Sequence, residues 1–162
     1  MSSDRIDWQS EPKIPKRSSP DYGETGLTEG IGIDMFRLIH STEKHPVTKM
    51  PLANYIGKLN EDCWTDENGN RLTPRSLVEI IKEQGYENAE KKYPHYLQHI
   101  RSIQSADYSF PVHVYRGHVI NGAHRIAKLI IERDTGNTTQ DFLTVKDLKE
   151  IPREAIIHPG SN

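Results

Sequence analysis

Between residues 114 and 130 the chain reads VYRGHVINGAHRIAKLI, a strand-like alternation that passes through Asn121-Gly122 into an amphipathic helix. The residues at that handover are the ones whose types and spacing could do chemistry. A helix start presents backbone N–H groups without intrahelical partners, together with a partial positive charge. Gly122 carries no side chain, so an anion could approach those donors closely. His124 and Arg125, in the first turn, add a titratable donor and a fixed guanidinium fork suited to phosphate oxygens. Lys128, one turn on, could reach the same anion or simply be solvated. Asn121 could orient a ligand or cap the helix. The same residues also fit a plain strand-to-helix turn, in which Gly122 eases the bend and Arg125 pairs on the surface.

The elements that must position this stretch follow from periodicity. FPVHVY is a strand with Val112 and Val114 on one face and His113 and Tyr115 on the other; Arg116-Gly117 turns it into HVIN. AHRIAKLIIERD is a helix burying Ile126, Leu129 and Ile130. Upstream, TPRSLVEIIKEQG reads as a helix capped by Thr73, started by Pro74 and stopped by Gly85, with Leu77, Val78, Ile80 and Ile81 as its inner stripe. HYLQHIRSIQSA is a second helix, with Leu97, Ile100 and Ile103 inward. Val47, Met50 and Leu52 suggest a strand, LANYIGKL a brief helix, and Asn68-Gly69 a turn. DFLTV is a further strand, VKDLKEIPREAII a closing turn of helix with an edge strand, and IDMFRLIH a short docked helix.

The chain has 162 residues, the size of one ordinary domain. Its 21 Lys and Arg against 23 Asp and Glu give a net charge of −2, which argues against a protein that coats nucleic acid while allowing a local basic site. The single cysteine, Cys63, excludes an intramolecular disulfide. No run approaches the roughly 20 apolar residues of a membrane span, and the N-terminus lacks an apolar signal core, so a soluble cytoplasmic protein is expected. Residues 1–30, rich in Ser, Pro, Gly and mixed charge, read as a flexible arm in which Trp8 or Tyr22 could meet a partner; residues 31–162 form the domain.

VINGAHRIAKL resembles the signature of the ParB/sulfiredoxin superfamily, where a strand ends in Asp-Gly-x-His-Arg or Gly-Glu-Arg-Arg and a helix follows. The likeness runs in order over residues 47–157: VTKMPLANYI looks like the opening strand and helix, and SADYSFPVHVYRGHVINGAHRIAKLI like the central hairpin and phosphate-binding helix. It is nearest the small stand-alone members common in bacteria and bacteriophages. The resemblance implies a compact α/β (α+β) domain with a small mixed sheet, binding ATP or CTP with Mg²⁺ through Asn121, Gly122, Ala123, His124 and Arg125. Sulfiredoxin chemistry requires a cysteine where Ala123 stands. Partition clamps carry a helix-turn-helix domain and a dimerisation tail, and neither module follows this fold before Asn162. The superfamily's free-serine kinases have Asp-Gly-His-His-Arg and an acidic base soon after the first strand. Here Asn121 replaces the Asp, and Glu61 and Asp62 stand near the place of the base; they could equally decorate a loop. The expected activity is therefore a kinase or an NTP-hydrolysing enzyme with Glu61, Asp62 and His124 as catalytic candidates, acting on a small-molecule, protein or DNA acceptor. The alternatives are a nucleotide-sensing module that regulates DNA or a protein partner, and a ParB-like nuclease.

His113 and Tyr115 could face the nucleotide pocket. Asp107 and Ser109 read as a turn before Pro111, with Asp107 a further carboxylate to consider. His95 and His99, four apart, would share a helix face, and His113, His118 and His124 could converge at the hairpin; no metal-binding motif accompanies them, and no metal site is expected.

Overall fold

A computed structural model describes residues 32–157; the expectations for the arm, Trp8 and Tyr22 lie outside them. The first half holds β1 (Gly32–Ile33), α1 (Met35–Ser41), β2 (Thr48–Pro51), β3 (Trp64–Thr65), β4 (Arg71–Leu72) and α2 (Pro74–Gln84). The second half holds α3 (Tyr86–Lys92), α4 (Leu97–Ser105), β5 (Val112–Tyr115), β6 (His118–Asn121), α5 (Ala123–Asp134), β7 (Phe142–Leu148) and β8 (Ile156–Ile157). The fold is mixed α/β. Four strands form the main sheet in the order β2-β7-β5-β6, parallel at β5/β7 and antiparallel elsewhere; β1/β8 and β3/β4 are separate two-stranded pairs.

Alternation along the strands divides the core in two. Val112, Val114, Val119, Leu143 and Val145 point to one face, where they meet Leu77, Val78 and Ile81 of α2, Ile100 and Ile103 of α4, and Ile126, Leu129 and Ile130 of α5. Tyr115, Ile120 and Leu148 point to the other, under Met35 and Leu38 of α1 and Ile151 and Ala155. The caps read from the sequence are in place. Thr73 Oγ1 accepts from the Ser76 amide, Pro74 opens α2, and Gly85 stops it with φ 82°.

Several expectations change. The opening strand starts at Thr48, leaving Val47 48% exposed, and LANYIGKL forms two 3₁₀ turns, Leu52–Asn54 and Ile56–Asn60, instead of an α-helix. Helix α3 was not anticipated, because it buries only Ala89 and so shows no apolar period. VKDL continues β7 instead of turning into a helix. Its Lys146 and Leu148 lie on the α1 face while Leu143 and Val145 lie on the other, and a buried lysine hides the alternation. The closing 3₁₀ turn (Arg153–Ala155) and edge strand β8 follow. Among the described residues, no helix is long and apolar enough to cross a membrane.

Candidate functional site

The handover from β6 to α5 is built by three local devices. The first is a bulge: the register passes from His113↔Asn121 to Val114↔Val119, which places one extra residue in β6. Successive residues Ile120 and Asn121 thereby both serve the α1 side of the sheet. The second is Gly122, with φ 122° and ψ 12°. A Cβ there would lie 2.4 Å from Val112 Cγ1 and 2.8 Å from Val112 Cβ, so close packing on β5 already demands glycine. The third is Arg125, buried at 6% exposure, whose Nη1 donates to the Pro111 carbonyl (3.1 Å) and fastens the first turn of α5 to the entry of β5. Gly122 offers no side-chain cap, unlike Asp34 and Thr73 at the starts of α1 and α2.

His124 projects from that first turn onto a wall the sequence did not suggest. Its ring stacks on the indole of Trp64 (centroids 4.3 Å, 13° between planes), and so does the ring of His99 from α4 (4.6 Å, 11°). The two imidazoles lie nearly in one plane, 19° apart, joined by a 3.0 Å contact between His99 Nδ1 and His124 Nε2. His99 Nε2 makes a 2.9 Å hydrogen bond to the Thr65 carbonyl. Burial, with smaller contributions from His99 and Arg125, holds His124 well below its ordinary value, so the ring is neutral at neutral pH. One signal for His99 was available: it stands four residues before the inward Ile103, on the edge of the buried face of α4. Trp64 gave none, because it lies on a two-residue strand.

Asn121 does not cap α5. Its Nδ2 donates to His113 Nδ1 (3.1 Å), while His113 Nε2 meets Thr42 Oγ1 (3.0 Å). The Thr42 hydroxyl gives its hydrogen to the Leu38 carbonyl (2.7 Å), so it accepts from His113, which is thereby fixed as the neutral Nε2–H form. Lys146 Nζ donates to the Thr42 carbonyl (2.8 Å) and closes this buried polar chain beneath α1. Burial first, then the charges of Arg125, Lys146 and His45, push His113 down to about 3. An aspartate at 121 would accept rather than donate, which gives Asn121 its physical reason. His113 and Tyr115 are therefore interior residues under α1, not the lining of an open pocket.

Lys128 is also committed elsewhere. Its Nζ donates to the Gln104 and Ala106 carbonyls (2.7 and 2.9 Å), capping the C-terminal end of α4. Glu61 and Asp62 are exposed. Glu61 pairs with Lys58 Nζ (3.1 Å), and Asp62 meets Arg71 through its backbone carbonyl (2.7 Å) and its carboxylate (3.5 Å). They stand three and two residues before Trp64, on the approach to the His124 wall. Asp107 forms the expected turn, accepting from the Ser109 amide and hydroxyl. His95 sits in a 3₁₀ turn against Tyr96 rather than on α4 beside His99, and His118 is exposed, so the three hairpin histidines do not converge. Among the described residues, no group of three or more His, Cys, Asp or Glu could hold a metal ion.

No family model and no solved structure matches the chain. A stretch of 69 residues, 43% of this chain, is 30% identical to the importin alpha re-exporter of Saccharomyces cerevisiae. The matched stretch spans 7% of that protein's length, and the likeness carries no function to this chain.

Proposed function

We infer that this domain holds the phosphates of a nucleotide, ATP or CTP with its Mg²⁺, at the first turn of α5 and performs phosphoryl chemistry on it, as a kinase or an NTP-hydrolysing enzyme. One observation carries the reading. The helix starts at a glycine with no side-chain cap and carries in its first turn a histidine locked against Trp64 and His99. A rigid helix start with backbone donors and a titratable ring suits a phosphate group. The sequence resemblance to ParB/sulfiredoxin-type domains points to the same turn.

The fold changes how this is tested. Arg125 supports the turn from below, so Arg125→Ala would leave the Pro111 carbonyl without its donor and confuse folding with binding. Cleaner variants are Glu61→Ala and Asp62→Ala, which remove only exposed pairs and should fold normally. A thermal-shift series with ATP and CTP, with and without Mg²⁺, should raise the melting temperature of the wild type and of both variants by mass action. In a turnover assay, a loss of about 10²–10⁴ at unchanged affinity in either variant assigns that carboxylate as the base. The reading fails if no nucleotide protects the wild type.

A second reading has its own support. Lys128 and Arg125 are engaged with backbone carbonyls, and Glu61 and Asp62 with surface cations. This suits a nucleotide-sensing module without turnover that regulates DNA or a protein partner. Protection by nucleotide with no turnover toward any acceptor would select it.

A further inference from the structure

The buried chain beneath α1 can be followed from one fixed hydrogen to an atom at the surface. Thr42 Oγ1 lies 2.7 Å from the Leu38 carbonyl, and two oxygens that close need a hydrogen between them, which only the hydroxyl can supply. With that hydrogen committed, the hydroxyl accepts from His113 Nε2 at 3.0 Å. His113 is neutral, because burial, and then the charges of Arg125, Lys146 and His45, push it down to about 3. Its lone pair is therefore on Nδ1, where the 3.1 Å contact takes a hydrogen from Asn121. An amide donates only through its nitrogen, so Nδ2 is turned inward. Among the described residues the amide's Oδ1 has no hydrogen-bond partner, and it is not buried, so it reaches solvent from the half-buried Asn121.

We propose that Asn121 is a specificity-determining residue whose Oδ1, locked outward by Thr42 and His113 as positioning residues, accepts a hydrogen bond from a water on the nucleotide's Mg²⁺. The proposal rests on the phosphate reading for what arrives at this turn. Asn121 stands one residue before Gly122, where the strand gives way to the helix start. Phosphate oxygens only accept hydrogen bonds, so an outward carbonyl oxygen cannot serve them directly. A phosphate-bound Mg²⁺ keeps several of its waters, and their O–H groups donate. The two kinds of group at the handover then divide the ligand between them. Backbone N–H groups of α5 take the phosphate oxygens, and Asn121 Oδ1 takes the hydrated cation.

The buried chain is what makes the acceptor definite. An unconstrained asparagine can turn its amide over and offer either oxygen or nitrogen. Here turning it over would set Oδ1 against the His113 Nδ1 lone pair, two acceptors with no hydrogen between them. Moving the ring hydrogen to Nδ1 would relieve that clash, but would leave Nε2 facing a hydroxyl whose hydrogen is on the Leu38 carbonyl. Thr42 at the end of α1, His113 on β5 and Asn121 on β6 therefore hold one polarity together. A second proton on the ring would also turn the amide over. The charged groups facing His113, Arg125 from α5, Lys146 from β7 and His45 from the segment after α1, are cationic or become so, and they oppose that proton.

The test begins without ligand. In the full-length chain with ¹⁵N-labelled histidine, two- and three-bond ¹H–¹⁵N correlations at neutral pH should show His113 as the Nε2–H form with a bare Nδ1. Thr42→Ser should keep that form, while Thr42→Val, similar in shape but without the acceptor, should let the Nδ1–H form appear. A wild-type His113 with its hydrogen on Nδ1 overturns the lock, as does an unchanged tautomer in Thr42→Val. Calorimetric titration with ATP and CTP, each with Mg²⁺ and in ribose and 2′,3′-dideoxyribose forms, then reads the ligand. Asn121→Ala should weaken binding about two- to tenfold, the worth of one neutral hydrogen bond, and equally for both sugars. Should Asn121→Ala fold poorly, Thr42→Val reads the same contact. An even mixture of amide orientations offers the acceptor half the time, so its binding should weaken roughly twofold. Unchanged affinity in these variants overturns the proposal. So does a loss that disappears with the dideoxy sugars, which would move the donor to a ribose hydroxyl. Failure of every nucleotide to bind would sink the phosphate reading and the Mg²⁺ water with it, whereas the tautomer decides the lock without any ligand.

Discussion

Replacing Gly122 by alanine tests whether the start of α5 is set by packing. The new Cβ would meet three atoms of Val112: Cγ1 at 2.4 Å, Cβ at 2.8 Å and Cα at 3.3 Å. Rotating the valine side chain relieves only the first of these, because Cβ and Cα do not move with χ1. Val112 is fully buried between β7 and β6, so the backbone has little room to retreat. Overpacking of this kind costs roughly 1–3 kcal/mol, and a side chain in the left-handed region adds roughly 1–2 kcal/mol. The expected loss is therefore about 2–5 kcal/mol, a large share of the 5–15 kcal/mol typical of a domain. Urea unfolding followed by far-UV circular dichroism should show it as a lower midpoint at unchanged slope. Gly57→Ala is the control, since a Cβ there meets nothing within 4 Å and the backbone is not left-handed; it should change stability by less than about 0.5 kcal/mol. Val112→Ala removes Cγ1, so combined with Gly122→Ala it should cost about 1 kcal/mol less than the sum of the single changes. A Gly122→Ala protein as stable as the wild type would refute the packing argument and return the glycine to the ligand.

Stability should fall as pH drops below about 6.5. His113 is pushed down to about 3 in the fold, so from its ordinary 6.5 down to about 3 the unfolded chain holds a proton that the folded chain lacks. That difference removes roughly 1 kcal/mol per pH unit, and His124, lowered in the same direction, adds to it. His113→Gln should flatten the slope of urea midpoint against pH, and an unchanged slope would remove His113 from the account. Lys128→Met should lose about 1–3 kcal/mol with the two bonds that cap α4, while nucleotide affinity stays within about twofold. A tenfold affinity loss, measured by calorimetric titration, would restore Lys128 to the phosphate site.

Local rules made part of this fold legible. Thr73, Pro74 and Gly85 bounded α2 because caps act within a few residues, and Val112/Val114 against His113/Tyr115 gave the faces of β5 because strand period is local. The strand-to-helix handover at Gly122 was equally readable, although its cause proved to be a contact with Val112 ten residues earlier. Long-range partners were not legible. Nothing in the stretch around Lys128 announces that the end of α4 lies beneath it, and nothing near Asn121 points to the buried chain through His113 to Thr42. The wall behind His124 combines α4, α5 and the β3 strand, with the two histidines 25 positions apart. A pattern read within one element cannot report such a meeting. The polar helix α3 escaped for the opposite reason, since it has almost no apolar face to read.

Titration of the ¹⁵N-labelled full-length protein with ATP and with CTP, each with Mg²⁺, tests the central claim most directly. The backbone amides of Ala123, His124 and Arg125 should show the largest saturable shifts, with His99 and Trp64 following through the stacked rings. Amides at the start of α5 that stay fixed while the α4 groove lined by Glu67, Gln98 and Arg101 moves would contradict it, as would the absence of any saturable shift with either nucleotide.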